Sequence, residues 1–338
     1  MSFKDLRLTV LTLLAVMFLV MPLVFCGCSP QKSDQKSYKI AIVSGIETFE
    51  QIIQGFTDGM ADHGYIESEN VFYNFLRVNP KKPEDEVKIR QIIADSVDLI
   101  LTFPTETTLW VKKLTRETNI PIVFVMAGIE GNDLVETIPH PGGNITGVRY
   151  PGPDISVMRL ELLRELAPSV KRVWIACDSN YPPNKVAIEM LHRSVAQTDI
   201  QLEEVQINGI ADIQADLDKR RAAKDVGFDA ILMMPDHYSL SLVGWSMITA
   251  FAEEFKIPII GNGNGYYREK TVLGFTPDLS EMGKQAVLLA DKILHGSPAG
   301  ALMVVTPISR LKINYKLAQQ YGLKVSEGLI SRADEIIR

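Results

Sequence analysis

From Tyr38 onward the chain alternates short apolar runs with longer amphipathic ones. The run YKIAIV has the pattern of a buried strand, and Ile52, Ile53, Phe56 and Met60 then recur at helical spacing until Gly64 closes the helix. VFYNFL predicts a second strand and a charged helix follows from about Glu84 to Asp95. DLILT (98–102) predicts a third strand, TETTLWVKKLTRET a helix, and IPIVFVM (120–126) a fourth strand. Strands that alternate with helices in this way imply parallel pairing through crossover helices, a doubly wound α/β layer.

The same rhythm restarts after a stretch rich in glycine and proline, HPGGNITGVRYPGP (140–153). A helix is expected near 154–166, then RVWIAC (172–177), a helix from Asn184, QLEEVQI (201–207) and a helix to about Lys224. DAILMM (229–234), a long helix to Phe255 and IPIIGN (257–262) follow. Two α/β halves therefore stand in series, and the glycine–proline stretch reads as the passage between them. After the segment TVLGF (271–275), Met282, Ala286, Leu289 and Ile293 form a further helical stripe, which is expected to return to the first half.

Composition agrees with a folded chain: 338 residues are more than one ordinary core holds, with 46% hydrophobic and 22% charged residues. The net charge of −6, without a basic run, argues against nucleic acid as a partner. The N-terminus differs from the rest. Lys4 and Arg7 precede an uncharged stretch from Leu8 to Phe25, which reads as an export signal, with a retained membrane-spanning anchor as the alternative.

Of three cysteines, Cys26 and Cys28 close that apolar stretch, and Cys177 is left as a small buried residue. The run Phe25-Cys26-Gly27-Cys28 resembles a bacterial lipobox, which implies a lipid-modified cysteine at the mature N-terminus. Cys28 follows the small Gly27 and fits better than Cys26, which follows Phe25. SPQKSDQKS downstream looks like a tether. Residues 1–27 are thus expected to be a lipoprotein signal peptide and 28–37 the tether.

Signals for catalysis are missing. Gly142 and Gly147 have phosphate-loop spacing, but Val148 and Arg149 stand where Lys and Ser or Thr are required. GNGNG (261–265) lacks the dinucleotide-binding spacing, and the five histidines include no pair at metal-ligand spacing. No G-x-S-x-G elbow is present. Neither a cofactor nor a metal is called for.

Polar and aromatic residues do gather at the expected carboxyl ends of strands, where open α/β sheets place their ligands. In the first half these are Ser44, Glu47 and Thr48; Thr102, Pro104, Thr105 and Glu106; and Met126 with Ala127. In the second they are Asp178, Asn180 and Tyr181; Asp236, His237 and Tyr238; and Asn262 with Asn264. Thr105 and Thr107 open a helix, whose free amides suit a carboxylate, whereas Asp236 and Asp178 suit an ammonium. Tyr150, Tyr181, Tyr238 and Tyr266 add flat surfaces with polar tips. Together they predict a zwitterionic small molecule held between two lobes.

At larger scale, PGGNITGV, LELLRELAPSVKRV, FDAI, IPI and the ending INYKLAQQYGLKVSEGLISRADEII resemble the substrate-binding lipoproteins of ABC transporters, in the family that includes tryptophan- and tyrosine-binding members. The resemblance implies a type I periplasmic-binding-protein fold, with two doubly wound parallel-sheet lobes joined by a three-segment hinge. Residues 38–149 with about 275–303 would form the first lobe, and 150–274 with about 304–338 the second. Hinge crossings would lie near Gly147–Pro153, Leu273–Pro277 and Val304–Pro307. The resemblance sets Asp236 in the ligand loop of the second lobe and Thr102 to Thr107 in that of the first. Where relatives often carry acidic residues after IPI, this chain has Gly263 and Asn264, which weakens ammonium recognition from that loop. It further implies a monomer anchored outside the cytoplasm by its N-terminal lipid, with ABC permease subunits as its partner in the membrane.

Two other readings compete. A sensor would use the same clamp to report to a separate membrane signalling partner. An enzyme using Asp236 and His237 as an acid–base pair is disfavoured, because adjacent loop residues seldom face one substrate together.

Overall fold

The computed structural model describes residues 36–45, 50–178 and 180–338. The leader and tether assignments, Cys26 and Cys28, and the candidate ligand residues Glu47 and Thr48 lie outside the described residues.

The first sheet is built from β1 (Tyr38–Ser44), β2 (Val71–Arg77), β3 (Leu99–Phe103), β4 (Ile122–Ala127) and β5 (Ile145–Arg149), in the order β2-β1-β3-β4-β5. Every pair is parallel. Helices α1 (Glu50–Asp62), α2 (Pro83–Ala94) and α3 (Thr105–Leu114) make the crossovers. Because helices cover both faces, β3 (LILTF) is buried at every position instead of alternating.

The second sheet contains β6 (Arg172–Cys177), β7 (Gln201–Gln206), β8 (Ala230–Leu232), β9 (Ile259–Gly261), β10 (Leu273–Pro277), β11 (Ser309–Asn314) and β12 (Glu335–Ile337). Their order is β12-β11-β10-β9-β8-β6-β7. Around them lie α4 (Gly152–Leu166), α5 (Pro182–Val195), α6 (Ile210–Ala222), α7 (Leu242–Phe255), α9 (Tyr315–Gln320) and α10 (Glu327–Arg332). The sheet is mixed: β11 runs antiparallel to β10, with β12 parallel to β11 beyond it at the edge, which the helix–strand alternation does not foretell. Strands β8 and β9 are shorter than the apolar runs DAILMM and IPIIGN. Met233 and Met234 remain buried, but the chain then leaves the ladder at Pro235, which has no amide to donate.

Helix α8 (Leu279–Leu294) does return to the first lobe, where Met282, Ala286, Val287 and Ala290 share a core with Ile40, Phe56 and Leu101. It lies close against α1 because each helix places a glycine at the point of closest approach. A Cβ on Gly55 would stand 2.1 Å from the Ser280 carbonyl oxygen, and one on Gly283 would stand 2.3 Å from that of Ile52. The crossing into this helix falls after Pro277, slightly later than the sequence boundary near 275, because Thr276 and Pro277 still pair with β11.

The chain passes between the sheets three times: after Arg149, after Pro277 and before Ser309. Two of the crossings are tied together, since Arg149 N donates to Val305 O and Val305 N to Gly147 O, each at 2.9 Å. The Arg149 guanidinium adds bonds to Thr306 (2.9 Å), Asp154 (2.9 Å) and Glu130. The bonds to the two carboxylates are charge-assisted and stronger than neutral ones, and they brace the first crossing.

Candidate functional site

The carboxyl ends of both sheets open onto one cleft of about 710 Å³, in the range of small-molecule sites. Gly45, Pro104 and Glu106 line it after β1 and β3, and Met126 lines it from within the end of β4. Asp178 and Tyr181 follow β6, Asp236 and His237 follow β8, and Asn262, Asn264, Tyr266 and Tyr267 follow β9. Tyr150 and Leu279 line it from two of the crossings. Met126 reaches the cleft from a left-handed backbone (φ 56°) at a register shift in β4, a conformation unusual for a side chain of this size.

Among the described residues, two direct side-chain bonds cross the cleft. Thr105 Oγ1 shares a hydrogen bond with the Tyr181 hydroxyl at 2.9 Å and accepts another from Gly128 N at 2.9 Å. His237 Nε2 lies 2.8 Å from Glu106 Oε1. Burial pushes the Tyr181 phenol upward, so it stays protonated. The hydrogen bond to Glu106 raises His237, while Glu106 is held below its usual range: its burial, the largest single effect, opposes this, and the hydrogen bond and charge of His237 together with a backbone hydrogen bond outweigh it. The lobes are thus in contact, and the structure is that of a closed jaw.

Asp236 is buried, and its Oδ1 accepts from the amides of Tyr238 (2.9 Å) and Ser239 (2.8 Å). Its Oδ2 has no partner. Burial raises the carboxyl to about 6, only partly opposed by those hydrogen bonds. With Asp178 and Glu50 on the same cleft, the wall has acidic character and an open acceptor, the arrangement that receives an ammonium or another donor.

The other expected site residues fall elsewhere. Thr102 and Ala127 are wholly buried within β3 and β4, and Ser44 is buried at the end of β1. The Thr105 hydroxyl is engaged by Tyr181 of the other lobe and by the Gly128 amide, so it joins the jaws. Asn180 bonds Asn208 at 3.0 Å, and Tyr238 packs on a second-lobe core. Cys177 is buried, and its thiol is pushed up to about 12 by that burial.

The cleft residues that the sequence reading overlooked include Glu50, Gln51, Tyr267 and, most consequentially, Arg159. Arg159 lines the cleft from α4 with 2% of its surface exposed. A signal was present in the helix periodicity: Ile155, Arg159, Leu163 and Leu166 share one face, so a cation interrupts a stripe that is otherwise apolar.

Two α/β lobes, a triple crossing and a cleft at the carboxyl ends of both sheets define a type I periplasmic-binding-protein fold. Residues 39–337 match the family model for ABC transporter substrate binding proteins, and the chain belongs to that family. A tyrosine-binding protein of Clostridioides difficile is 24% identical over 280 residues, covering 82% of this chain and 78% of the relative. Among solved structures, a conserved domain protein from Vibrio cholerae aligns with a TM-score of 0.76 at 26% identity, covering 89% of this chain and 100% of that one. An ABC domain from Streptococcus pneumonia in complex with L-Trp also aligns at 0.76, with 21% identity and the same coverage.

Proposed function

We propose that this chain is the solute-receiving component of an ABC importer, held outside the cytoplasm by a lipid on Cys28. It captures a small polar ligand of amino-acid type, with an aromatic side chain favoured, and delivers it to permease subunits in the membrane. The observation that carries this reading is the interlobe cleft itself, where buried Asp236 leaves one carboxylate oxygen open among Tyr150, Tyr181, Tyr266 and Tyr267. Aromatic walls beside a fixed charge favour a flat ligand that carries an amine. The names of the tyrosine-binding relative and of the L-Trp complex are consistent with such a ligand.

Capture works by population shift. A ligand closes the jaws only so far as it binds the closed form more tightly than the open one. Micromolar affinity corresponds to about −8 kcal/mol, enough to bias a hinge that costs a few kcal/mol. The test is uptake of radiolabelled tyrosine and tryptophan by cells with and without the gene for this chain, alongside calorimetric titration of the protein. Binding without any change in uptake would refute the importer role while leaving solute capture intact.

A further inference from the structure

We propose that Arg159 is the anion-holding residue of the cleft and that the captured solute presents a carboxylate to its Nη2, an inference that rests on the solute-binding reading above. The guanidinium is nearly sealed from solvent, with 2% of the residue exposed. Its Nε donates to Phe275 O and its Nη1 to Met233 O, each at 3.0 Å. Nη2 is buried without a partner, and Arg159 forms no ion pair with a carboxylate among the described residues. Tyr150 lies beside the guanidinium and offsets part of the burial that pulls its pKa down, but its hydroxyl does not complete a hydrogen bond to Nη2.

Arginine does not shed its proton, so the site keeps a full positive charge facing two neutral carbonyls. A buried charge without a counter-ion is costly, and it persists where something supplies the missing partner. The two carbonyls belong to β10 and to the residue that follows β8, so the fork cannot swing out to solvent without breaking both bonds. Held in that way, it is ready for a planar acceptor before the ligand arrives.

The polarity of the ligand follows. Asp236 stands three residues after Met233, with its Oδ2 also lacking a partner. One lobe therefore presents a fixed cation and an open carboxylate to the same cleft. Both charged ends of a zwitterion would be read by the second lobe, leaving its side chain to Pro104 and Met126 of the first lobe and to the tyrosines.

Thermal shift and calorimetry of the full-length chain in detergent, with L-tyrosine and L-tryptophan against their amides, test this directly. Each acid should bind about ten- to a hundredfold more tightly than its amide, the scale of a charged hydrogen bond. Arg159→Gln should bring acid and amide within a few-fold of each other, and Arg159→Lys should fall between. Equal binding of acid and amide by the natural protein would overturn the inference, as would a folded Arg159→Gln chain that keeps the preference. If Arg159→Gln fails to fold, the comparison in the natural protein decides alone. Should neither aromatic amino acid bind, succinate and benzoate against neutral sugars and amides separate the outcomes. Binding of carboxylates alone supports Arg159 and refutes the amino-acid ligand, binding of neutral solutes alone refutes Arg159 and keeps solute capture, and no binding at all refutes both.

Discussion

His237 Nε2 lies 2.8 Å from Glu106 Oε1 and joins the loop after β8 in one lobe to the start of α3 in the other. The pair is a closure contact, since it exists only when the jaws meet. Its pH window follows from the two shifts. His237 is raised above 6.5, so its contribution is complete below that value and is lost as pH rises through the raised one. Glu106 is lowered below 4.5, so its contribution is present above that value and is lost on acidification. The pair should therefore favour closure most between about pH 4.5 and 6.5. Both side chains are partly exposed, so the gain is that of a screened pair, about 0.2–1 kcal/mol. His237→Gln should weaken ligand binding by about two- to fivefold at pH 6 and by less at pH 9. An equal loss at both values, measured by titration calorimetry, would remove the ionic role.

Asp236 gives the opposite slope for binding an amine. Its carboxyl is raised from 3.8 to about 6 by burial, so the empty protein loses stability as pH rises between those values, where the buried group ionises. An ammonium needs the ionised form. Affinity for an amine-bearing ligand should therefore climb through pH 6, and Asp236→Asn should weaken the ligand and flatten that climb. A climb that survives in Asp236→Asn would assign it to another group.

The proposed lipid attachment at Cys28 can be read with a label. Cells fed a tagged fatty acid should mark the natural chain and not Cys28→Ser, and the variant should leave the membrane fraction in part. A Cys28→Ser chain that still carries the label would move the attachment to Cys26.

Much of this fold was legible because its strands are buried on both faces and its helices are amphipathic. YKIAIV and RVWIAC are continuous apolar runs of strand length, and the stripe of Met282, Ala286, Leu289 and Ile293 announced a helix with a core to reach. The antiparallel β11 was hidden, since direction depends on connection and not on residue pattern. In the site, loops after strands pointed to Asp236, His237, Tyr181 and Asn262, all of which line the cleft. The bond from Thr105 to Tyr181 was hidden, because a hydroxyl at a helix start carries no sign in the sequence of the opposite lobe it will meet. Arg159 escaped because it approaches from a helix flank, and a lone cation between leucines is read as a solvated position until its neighbours are known to be buried.

The contact between α1 and α8 sets the position of the first lobe's ligand loops, because α1 begins with the cleft residues Glu50 and Gln51. At Gly283 a methyl group would stand 2.3 Å from Ile52 O and 2.8 Å from Phe56 N. Both neighbours are backbone of a packed helix, so relief requires the helices to move apart and their shared core to loosen. Overpacking of this kind costs about 1–3 kcal/mol, and Gly283→Ala should lower the melting temperature by several degrees. The mirror change, Gly55→Ala, meets Ser280 O at 2.1 Å and should act in the same direction. Gly209 provides a clash-free reference: its backbone is extended (φ −176°) and a Cβ there meets nothing within 4 Å, so Gly209→Ala loses only the preference of a helix N-cap for glycine over alanine, about 0.5–1 kcal/mol. If Gly283→Ala melts with the Gly209→Ala chain, the close helix approach does not hold the lobe. If it melts early and also loses ligand affinity, the displacement of α1 has reached Glu50 and Gln51 at the cleft.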